Sequence, residues 1–341
     1  MSLPHNDLRG GGAKSASSEA PRRRAAANFA SPGFGAAAPR ATAVYHWRMY
    51  RSLLDAVRDA ESQGTTLAAV ALAAESADSG RAVADIRASL ARALDVMRGA
   101  VARGLVGDLR SSSGLVGGDA AKLVSGPPGP LAGTPFRDVL ARALAVQEVN
   151  AAMGVIVAAP TAGGAGVLPA VLTGLADARG IGDAALVDAL ATAGLIGAVV
   201  ADRASLSGAE GGCQAETGAA AGMAAGAATE MLGGTPRQAF HAVAIAQQGT
   251  LGLVCDPLGG LVELPCVFRN ATGAAIAMAA VEMALAGVEF AIPADEVIDT
   301  MGEIGRAMDV RYRETAGGGL AATPTGRRLA RERLVQIKRA S

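Results

Sequence analysis

Three cysteines are the residues best suited to chemistry in this chain of 341 residues. Cys213 lies in SGAEGGCQAE, and Cys255 and Cys266 enclose ten residues in CDPLGGLVELPC. Each has a Gly or Pro within two positions, which indicates irregular backbone that a bulky group could approach closely. An odd number of thiols cannot all pair as disulfides, so we expect a reducing, cytoplasmic compartment.

The spacing of these residues leaves three interpretations open. Zinc usually takes four Cys or His ligands at short spacing, and none of His5, His46 and His241 completes such a motif. Soft thiolates also bind iron-sulfur clusters, and a cubane held by three cysteines leaves one iron open to a substrate oxygen. Three inert, buried thiols are the remaining interpretation, because free Cys is among the most buried residue types.

A glycine-rich loop, APTAGGAG at 159–166, is a candidate anion site. Such a loop exposes backbone N–H groups that can cradle a carboxylate or phosphate. Pro169 stands where a dinucleotide fingerprint has Gly or Ala, and no Gly-Lys-Ser/Thr completes a P-loop, so nucleotide binding is disfavoured. A plain turn between helices is the alternative.

Two further stretches combine glycine with polar side chains. SSSGLVGGDAAK runs over 111–122, and ALAVQEVNAAMG places Glu148 and Asn150 shortly before the glycine loop. A polar pair at a helix end is usually a cap, and Asp119 suits the N-cap of a helix that carries Lys122. Capping explains both stretches without catalysis.

The elements that would position these residues are helices. From Met49 onward, apolar residues over 83–97 recur at helical spacing and form one stripe. Thr-Pro pairs at 134–135 and 235–236 predict helix starts near 135 and 236. Over 214–231, glycines recur every four residues on one helix face, so a neighbouring helix could pack very close: Gly218, Gly222 and Gly226.

No run of residues alternates apolar and polar side chains over enough positions to predict a strand. Met153 to Ala159 (MGVIVAA) is the best strand candidate, and a buried helix end explains it equally well. Only 3% of residues are aromatic and 45 are Gly, which predicts a core of closely packed small side chains. We therefore predict an all-α, Ala/Gly-rich fold.

Charge and hydropathy exclude some classes of partner. The formal net charge is zero and the pI is about 6.8, which gives no electrostatic footprint for nucleic acid. The longest uncharged run, 149–176, contains Pro160 and Pro169 and does not predict a membrane helix. Residues 1–48 contain seven Lys and Arg against two Asp and Glu, which predicts a disordered basic tail, with a transit peptide as the alternative.

Five motifs from Met49 to the end give the chain a family resemblance. The motifs are SSGLVGGDAAK at 112–122, NAAMGVIVAAPTAGGAGVLPAVL at 150–172, SGAEGGCQAETG at 207–218, LGLVCDPLGGLVELPCVFRNATG at 251–273 and RETAGGGLAATPTGRRL at 313–329. In this order they resemble the α chain of the iron-sulfur-dependent L-serine dehydratases (L-serine ammonia-lyases). The resemblance implies a catalytic domain over 49–341.

The resemblance also implies a cofactor and a reaction. A [4Fe-4S] cluster would be bound by Cys213, Cys255 and Cys266, and its open iron would act as a Lewis acid on the serine hydroxyl. Loss of water would give aminoacrylate, which yields pyruvate and ammonia without pyridoxal phosphate. Such an enzyme serves amino-acid degradation and gluconeogenesis. Alternatives are an L-cysteine desulfidase-type lyase with the same cluster, or a non-catalytic helical subunit with structural or zinc-binding cysteines.

Two residues are candidates for the base that removes the Cα proton. Lys122 qualifies if it is partly desolvated, and His241, in the helix expected to start at Pro236, titrates in the right range. A solvated lysine and a packed histidine are the alternatives. We expect Thr161, Gly163 and Gly164 to hold the substrate carboxylate by a hydroxyl and by backbone N–H groups. Asn150, Arg269 and Asn270 are expected to make polar contacts around the cluster or the substrate.

Departures from the family pattern predict a partner. Single-chain members carry a β part before the α part, and the 48 residues that precede Met49 here are too short and polar to be one. We therefore expect a separate β chain and an oligomer. No thiol follows Cys266, so regulation by a terminal cysteine, seen in some relatives, is expected to be absent.

Overall fold

The computed structural model describes residues 50–340, and the tail predicted at 1–48 lies outside them. Over this range the chain forms α-helices and no β-strand, so the all-α prediction is confirmed. The helices are α1 (Leu53–Ser62), α2 (Leu67–Ser79), α3 (Val83–Leu105), α4 (Asp119–Ser125), α5 (Pro135–Ala151), α6 (Val167–Arg179), α7 (Asp183–Arg203), α8 (Gly208–Gly211), α9 (Ala219–Met231), α10 (Pro236–Gln248), α11 (Cys266–Leu285), α12 (Ala294–Ala307) and α13 (Pro324–Ala340).

Both helix starts predicted from Thr-Pro pairs are confirmed, because α5 begins at Pro135 and α10 at Pro236. The two threonines behave differently. Thr235 accepts from the backbone N–H of Gln238 at 3.1 Å, and the Gln238 side chain accepts from Thr235 N at 2.9 Å, which completes a capping box. The hydroxyl of Thr134 instead donates to the Leu131 carbonyl at 2.7 Å.

The core is built around α9, which packs against α6, α7, α10 and α11. A Cβ placed on Gly222 would lie 2.8 Å from the side chain of Gln247 in α10, and one on Gly226 would lie 2.5 Å from Ile196 in α7. The predicted glycine face is thus the surface on which two neighbouring helices approach α9.

Carboxylates from distant parts of the sequence cap three of the helices. Asp295 accepts from the first two N–H groups of α1 at 2.8 and 3.0 Å, and Glu230 accepts from the second N–H of α2 at 3.1 Å. Glu148 accepts from Gly118, Asp119 and Ala120 at the start of α4, at 3.0, 2.6 and 3.1 Å. The cap predicted for Asp119 is therefore wrong, because Asp119 is the first residue of α4 and Glu148 supplies the acceptor.

Two apolar segments, Met153 to Ala159 and α7, differ in how far they are buried. Met153 to Ala159 is neither strand nor buried helix end, because it is irregular and exposes 84% of Met153 and 76% of Val155. Both sequence interpretations of it are wrong. By length and composition α7 is long and apolar enough to cross a membrane, but 67% of that window is buried among neighbouring helices, which is typical of a core helix.

Candidate cysteine site

The three cysteines are brought together from separate elements. Cys213 precedes a π-helical turn at Gln214–Gly218, Cys255 lies in the connection between α10 and α11, and Cys266 is the first residue of α11. All three are free and buried. Burial, together with the charge that Cys213 would carry, raises the pKa of Cys266 to about 12. Burial also raises the pKa of Cys255, with additional contributions from both other thiols, so the three sulfurs lie within electrostatic reach of one another.

The donor set suits a cluster better than a single ion. The described residues contain no group of three or more His, Cys, Asp or Glu side chains arranged around one ion position. A cluster is larger than an ion, and its thiolates stand farther apart than those of a mononuclear zinc site. A Cβ on Gly208 would lie 3.0 Å from Cys255 Sγ, so glycine there keeps one side of the thiol open. Three soft, buried donors beside open backbone fit an iron-sulfur cluster.

Arg269 supplies positive charge beside the thiols. Its guanidinium pairs with Asp256 at 2.8 Å and donates to the Val254 carbonyl at 2.8 Å, which holds the segment before Cys255 against α11. Burial lowers the pKa of Arg269, but the nearby Cys213 and Asp256 outweigh it and raise the pKa overall. A fixed cation at this place would favour thiolate over thiol at Cys213.

Glu216 is a buried carboxyl that the sequence analysis missed. Thr161 donates its hydroxyl hydrogen to Glu216 Oε1 at 2.8 Å, and Glu216 Oε2 lies 3.9 Å from Cys255 Sγ. Burial raises the pKa of Glu216, and the hydroxyl of Thr161 opposes that effect. The available signal was an acid three residues after Cys213 in an Ala- and Gly-rich helix, a spacing that places both on one face.

The glycine loop lies against this turn. A Cβ on Gly163 would lie 2.8 Å from Glu216 Oε2, and one on Gly164 would lie 3.0 Å from the Glu216 carbonyl oxygen. Gly164 N donates to the Thr161 carbonyl at 3.3 Å, so this N–H closes the loop's own turn. Asn150, at the end of α5, donates to the Ala162 carbonyl at 3.2 Å and so links the loop to α5.

Asn270 joins the loop to α11 and has no free donor for a substrate. Its Nδ2 donates to Gly163 O at 2.6 Å and to Cys266 O at 2.9 Å, while Oδ1 accepts from Gly166 N at 2.9 Å. The side chain is fully buried. The predicted substrate contact at Asn270 is therefore replaced by a positioning role, because both hydrogens of the amide are already used.

The structure places the two candidate bases in surroundings that differ from those the sequence analysis expected. Lys122 is 75% exposed at its side chain and pairs with Asp119 at 2.6 Å, so the burial required by the argument for a base is missing. His241 accepts from Phe290 N at 3.2 Å. Phe290 follows the C-terminal end of α11, whereas Cys266 is at the N-terminal end of that helix. The two ends of a helix of this length are about 28 Å apart. Neither residue has the position that the sequence-based prediction required.

The remaining motifs also meet at the site. Ser113 N donates to the buried Glu263 at 3.2 Å, which ties the 112–122 motif to the segment between Cys255 and Cys266. Cys255 N donates to the Tyr312 carbonyl, and Glu314 N donates to the Cys255 carbonyl, both at 2.8 Å. The C-terminal motif therefore holds the backbone of Cys255 on both sides.

Comparisons with known proteins identify the family of this chain. A model of the serine dehydratase alpha chain family matches residues 62–321. A probable L-serine dehydratase alpha chain of Bacillus subtilis is 48% identical over 288 residues, which cover 83% of this chain and 95% of that protein. The L-serine dehydratase alpha chain of Peptoniphilus asaccharolyticus is 41% identical over 199 residues, 57% of this chain and 68% of that protein.

A longer relative aligns over only part of its length. The L-serine dehydratase of Streptomyces coelicolor is 41% identical over 280 residues, which cover 80% of this chain and 60% of that protein. The family match covers most of the chain and includes all three cysteines and the glycine loop. The chain therefore belongs to the serine dehydratase alpha chain family.

Proposed function

We propose that the chain is the alpha chain of an L-serine ammonia-lyase that converts L-serine into pyruvate and ammonia in the cytoplasm. A separate beta chain completes the enzyme, as the alpha chain designation of the relatives implies. The observation that carries the proposal is the meeting of three buried, free thiols with Glu216 and the glycine loop. Free thiols next to a buried carboxyl are an unusual combination inside a protein, and they suit a metal-cluster site.

We propose that Cys213, Cys255 and Cys266 hold a [4Fe-4S] cluster. When bound, the cluster would supply a Lewis acid that makes the serine hydroxyl a better leaving group. Arg269 offsets the negative charge of the thiolates, and its ion pair with Asp256 keeps it in place. Asn270 fixes the first turn of α11 against the glycine loop, so the Cys266 ligand and the loop keep a constant separation.

Thr161 is the residue best placed to contact the amino group of the substrate. Because its hydroxyl hydrogen is donated to Glu216, the lone pairs of Thr161 Oγ1 are turned away from that bond and can accept from an ammonium group. Gly163, with no side chain, lets the loop backbone approach the same carboxylate closely. Lys122 is exposed and paired with Asp119, and His241 accepts from Phe290 N, so we assign neither residue a role in this mechanism.

The test is turnover by the complete enzyme. The chain is purified without oxygen together with its beta chain, and pyruvate formation is measured with L-serine and with L-cysteine. The proposal predicts that L-serine is the better substrate, in keeping with the names of the relatives. A preference for L-cysteine would favour the desulfidase alternative, and a cluster-containing enzyme that releases no pyruvate from either amino acid would refute the proposal.

A further inference from the structure

A polar cavity lies between α12 and the segment that contains α8, next to the Gln214–Gly218 turn that follows Cys213. Its volume is about 380 Å³, at the lower end of the range for small-ligand pockets. The polar side chains on its wall are Ser205, Glu210, Arg306 and Arg313. The floor contains Gly211 and Gly305, which approach so closely that a Cβ on Gly305 would lie 2.8 Å from Gly211 Cα.

This cavity is distinct from the cysteine site. Gln214 turns away from the thiols, since its Nε2 donates to the Met301 carbonyl at 3.0 Å and its Oε1 accepts from Gly252 N at 2.8 Å. Ala215 and Met301 line the cavity. The same turn therefore presents Cys213 and Glu216 on one side and Ala215 on the other.

The two arginines of the cavity form no ion pair in the part of the chain that the structure describes. No carboxylate there lies within ion-pair distance of Arg306 or Arg313, and Arg313 Nε is buried without a hydrogen-bond partner. By contrast, neighbouring Arg311 pairs with Asp309. A buried guanidinium N–H without an acceptor costs free energy, so an anion in the cavity would stabilise this arrangement.

The charges on the wall limit what the anion can be. Glu210 accepts from Ser205 Oγ at 2.6 Å through one oxygen and contributes a negative charge beside the two arginines. The wall therefore carries one net positive charge, which matches a singly charged anion better than a phosphate dianion. Guanidinium groups bind carboxylates through two parallel hydrogen bonds. We propose that this cavity binds a small monocarboxylate.

Binding there would act on the backbone of two cysteines. Arg313 is held between the two hydrogen bonds that link the segment at 312–314 to Cys255. Gly211 lies two residues before Cys213. A bound carboxylate would therefore restrain the backbone on both sides of the cysteine site without touching a thiol, and its effect can be observed without turnover.

The test measures binding and backbone protection in the full chain. Acetate is titrated calorimetrically against chloride and phosphate at matched ionic strength, and hydrogen exchange of peptides around 205–216 and 310–316 is followed by mass spectrometry. We expect acetate to bind and to slow exchange in both peptides, with weaker effects of phosphate and none of chloride. Equal binding of chloride or phosphate, or unchanged exchange in both peptides, would overturn the proposal.

Variants assign the effect to the cavity. Arg313→Gln is expected to weaken acetate binding by about tenfold or more, because a charge-assisted hydrogen bond is lost. The matched control Arg311→Gln removes the same charge from an exposed neighbour outside the cavity and should leave binding unchanged. If Arg313→Gln does not fold, Arg306→Gln serves in its place, and unchanged acetate binding in a folded variant of either residue would overturn the proposal.

Discussion

Glu148 and Glu216 are both buried carboxyls, but their surroundings differ. Glu148 accepts from three backbone N–H groups at the start of α4, whereas Glu216 accepts from one hydroxyl and has a thiol at 3.9 Å. Burial raises the pKa of both groups, and the three N–H groups oppose it at Glu148. The comparison teaches that Glu148 uses both of its oxygens to cap a helix, while Glu216 at the cysteine site retains unused acceptor capacity.

The largest effect is expected at the thiols. Cys255→Ser should abolish pyruvate formation and lower the iron content, because a hydroxyl is a poor ligand for iron compared with a thiolate. Helical content, measured by circular dichroism, should be retained, since the bundle core does not include the thiol. The control Thr272→Ser, at an exposed position of α11, should keep both iron and activity. Full activity of Cys255→Ser would remove this cysteine from the site.

A smaller loss of activity is expected at Glu216. Glu216→Gln should reduce kcat/KM for L-serine by about a hundredfold, because the amide keeps one acceptor oxygen for Thr161 but replaces the other by an NH2 donor that faces Cys255. Glu282→Gln, at an exposed position of α11, is the control and should leave kcat/KM unchanged. Wild-type kcat/KM in Glu216→Gln would show that this carboxyl belongs with the structural ones.

The same variant should change stability in the opposite direction. As pH rises through the usual carboxyl range, Glu216 ionises in the unfolded chain, while its raised pKa keeps it protonated in the folded chain. The difference favours unfolding at neutral pH, and its contribution disappears in acid, where both states are protonated. In the cluster-free chain, Glu216→Gln should therefore raise Tm at pH 7 and not below pH 4. A lower Tm at pH 7 would contradict this sign.

At Glu148 we expect the substitution to be destabilising, although burial raises the pKa of this group too, because three backbone N–H groups depend on its oxygens. Glu148→Gln should lower the free energy of unfolding by about 2 kcal/mol, because the amide cannot accept from all three N–H groups of α4. Urea unfolding measures the loss. Unchanged stability would mean that the cap of α4 contributes little and that the two carboxyls differ less than their partners indicate.

The smallest effect concerns the close packing of the bundle. Gly222→Ala should lower the free energy of unfolding by about 1 kcal/mol, because the new methyl group meets Gln247 at 2.8 Å. Gly194→Ala in α7 has open space around its Cβ and should instead raise stability by about 0.5 kcal/mol through helix propensity. Equal effects of the two substitutions in urea unfolding would refute the packing argument.

Local signals in the sequence predicted the helices well. Proline at the first helical position marked Pro135 and Pro236, and the four-residue glycine spacing marked the packed face of α9. These features depend on neighbours along the chain. The family motifs likewise identified the cysteines, although their positions along the chain did not show how the motifs meet.

Features that depend on distant contacts could not be predicted in this way. Glu148 caps α4 from α5, which no local pattern of the 111–122 stretch reveals. The exposure of Lys122 and the placement of His241 beyond the end of α11 are properties of packing. The small residues around Glu216 give no indication of its role, because that role depends on a hydrogen bond from Thr161, 55 positions away in the sequence.

Iron and acid-labile sulfide content of the chain, purified without oxygen, tests the central claim most directly. The account predicts about four iron and four sulfide per chain, with a brown colour that bleaches in air. It also predicts that Cys213→Ser, Cys255→Ser and Cys266→Ser each lose the cluster. A colourless protein that carries stoichiometric zinc, or an iron content unchanged in all three variants, would contradict it.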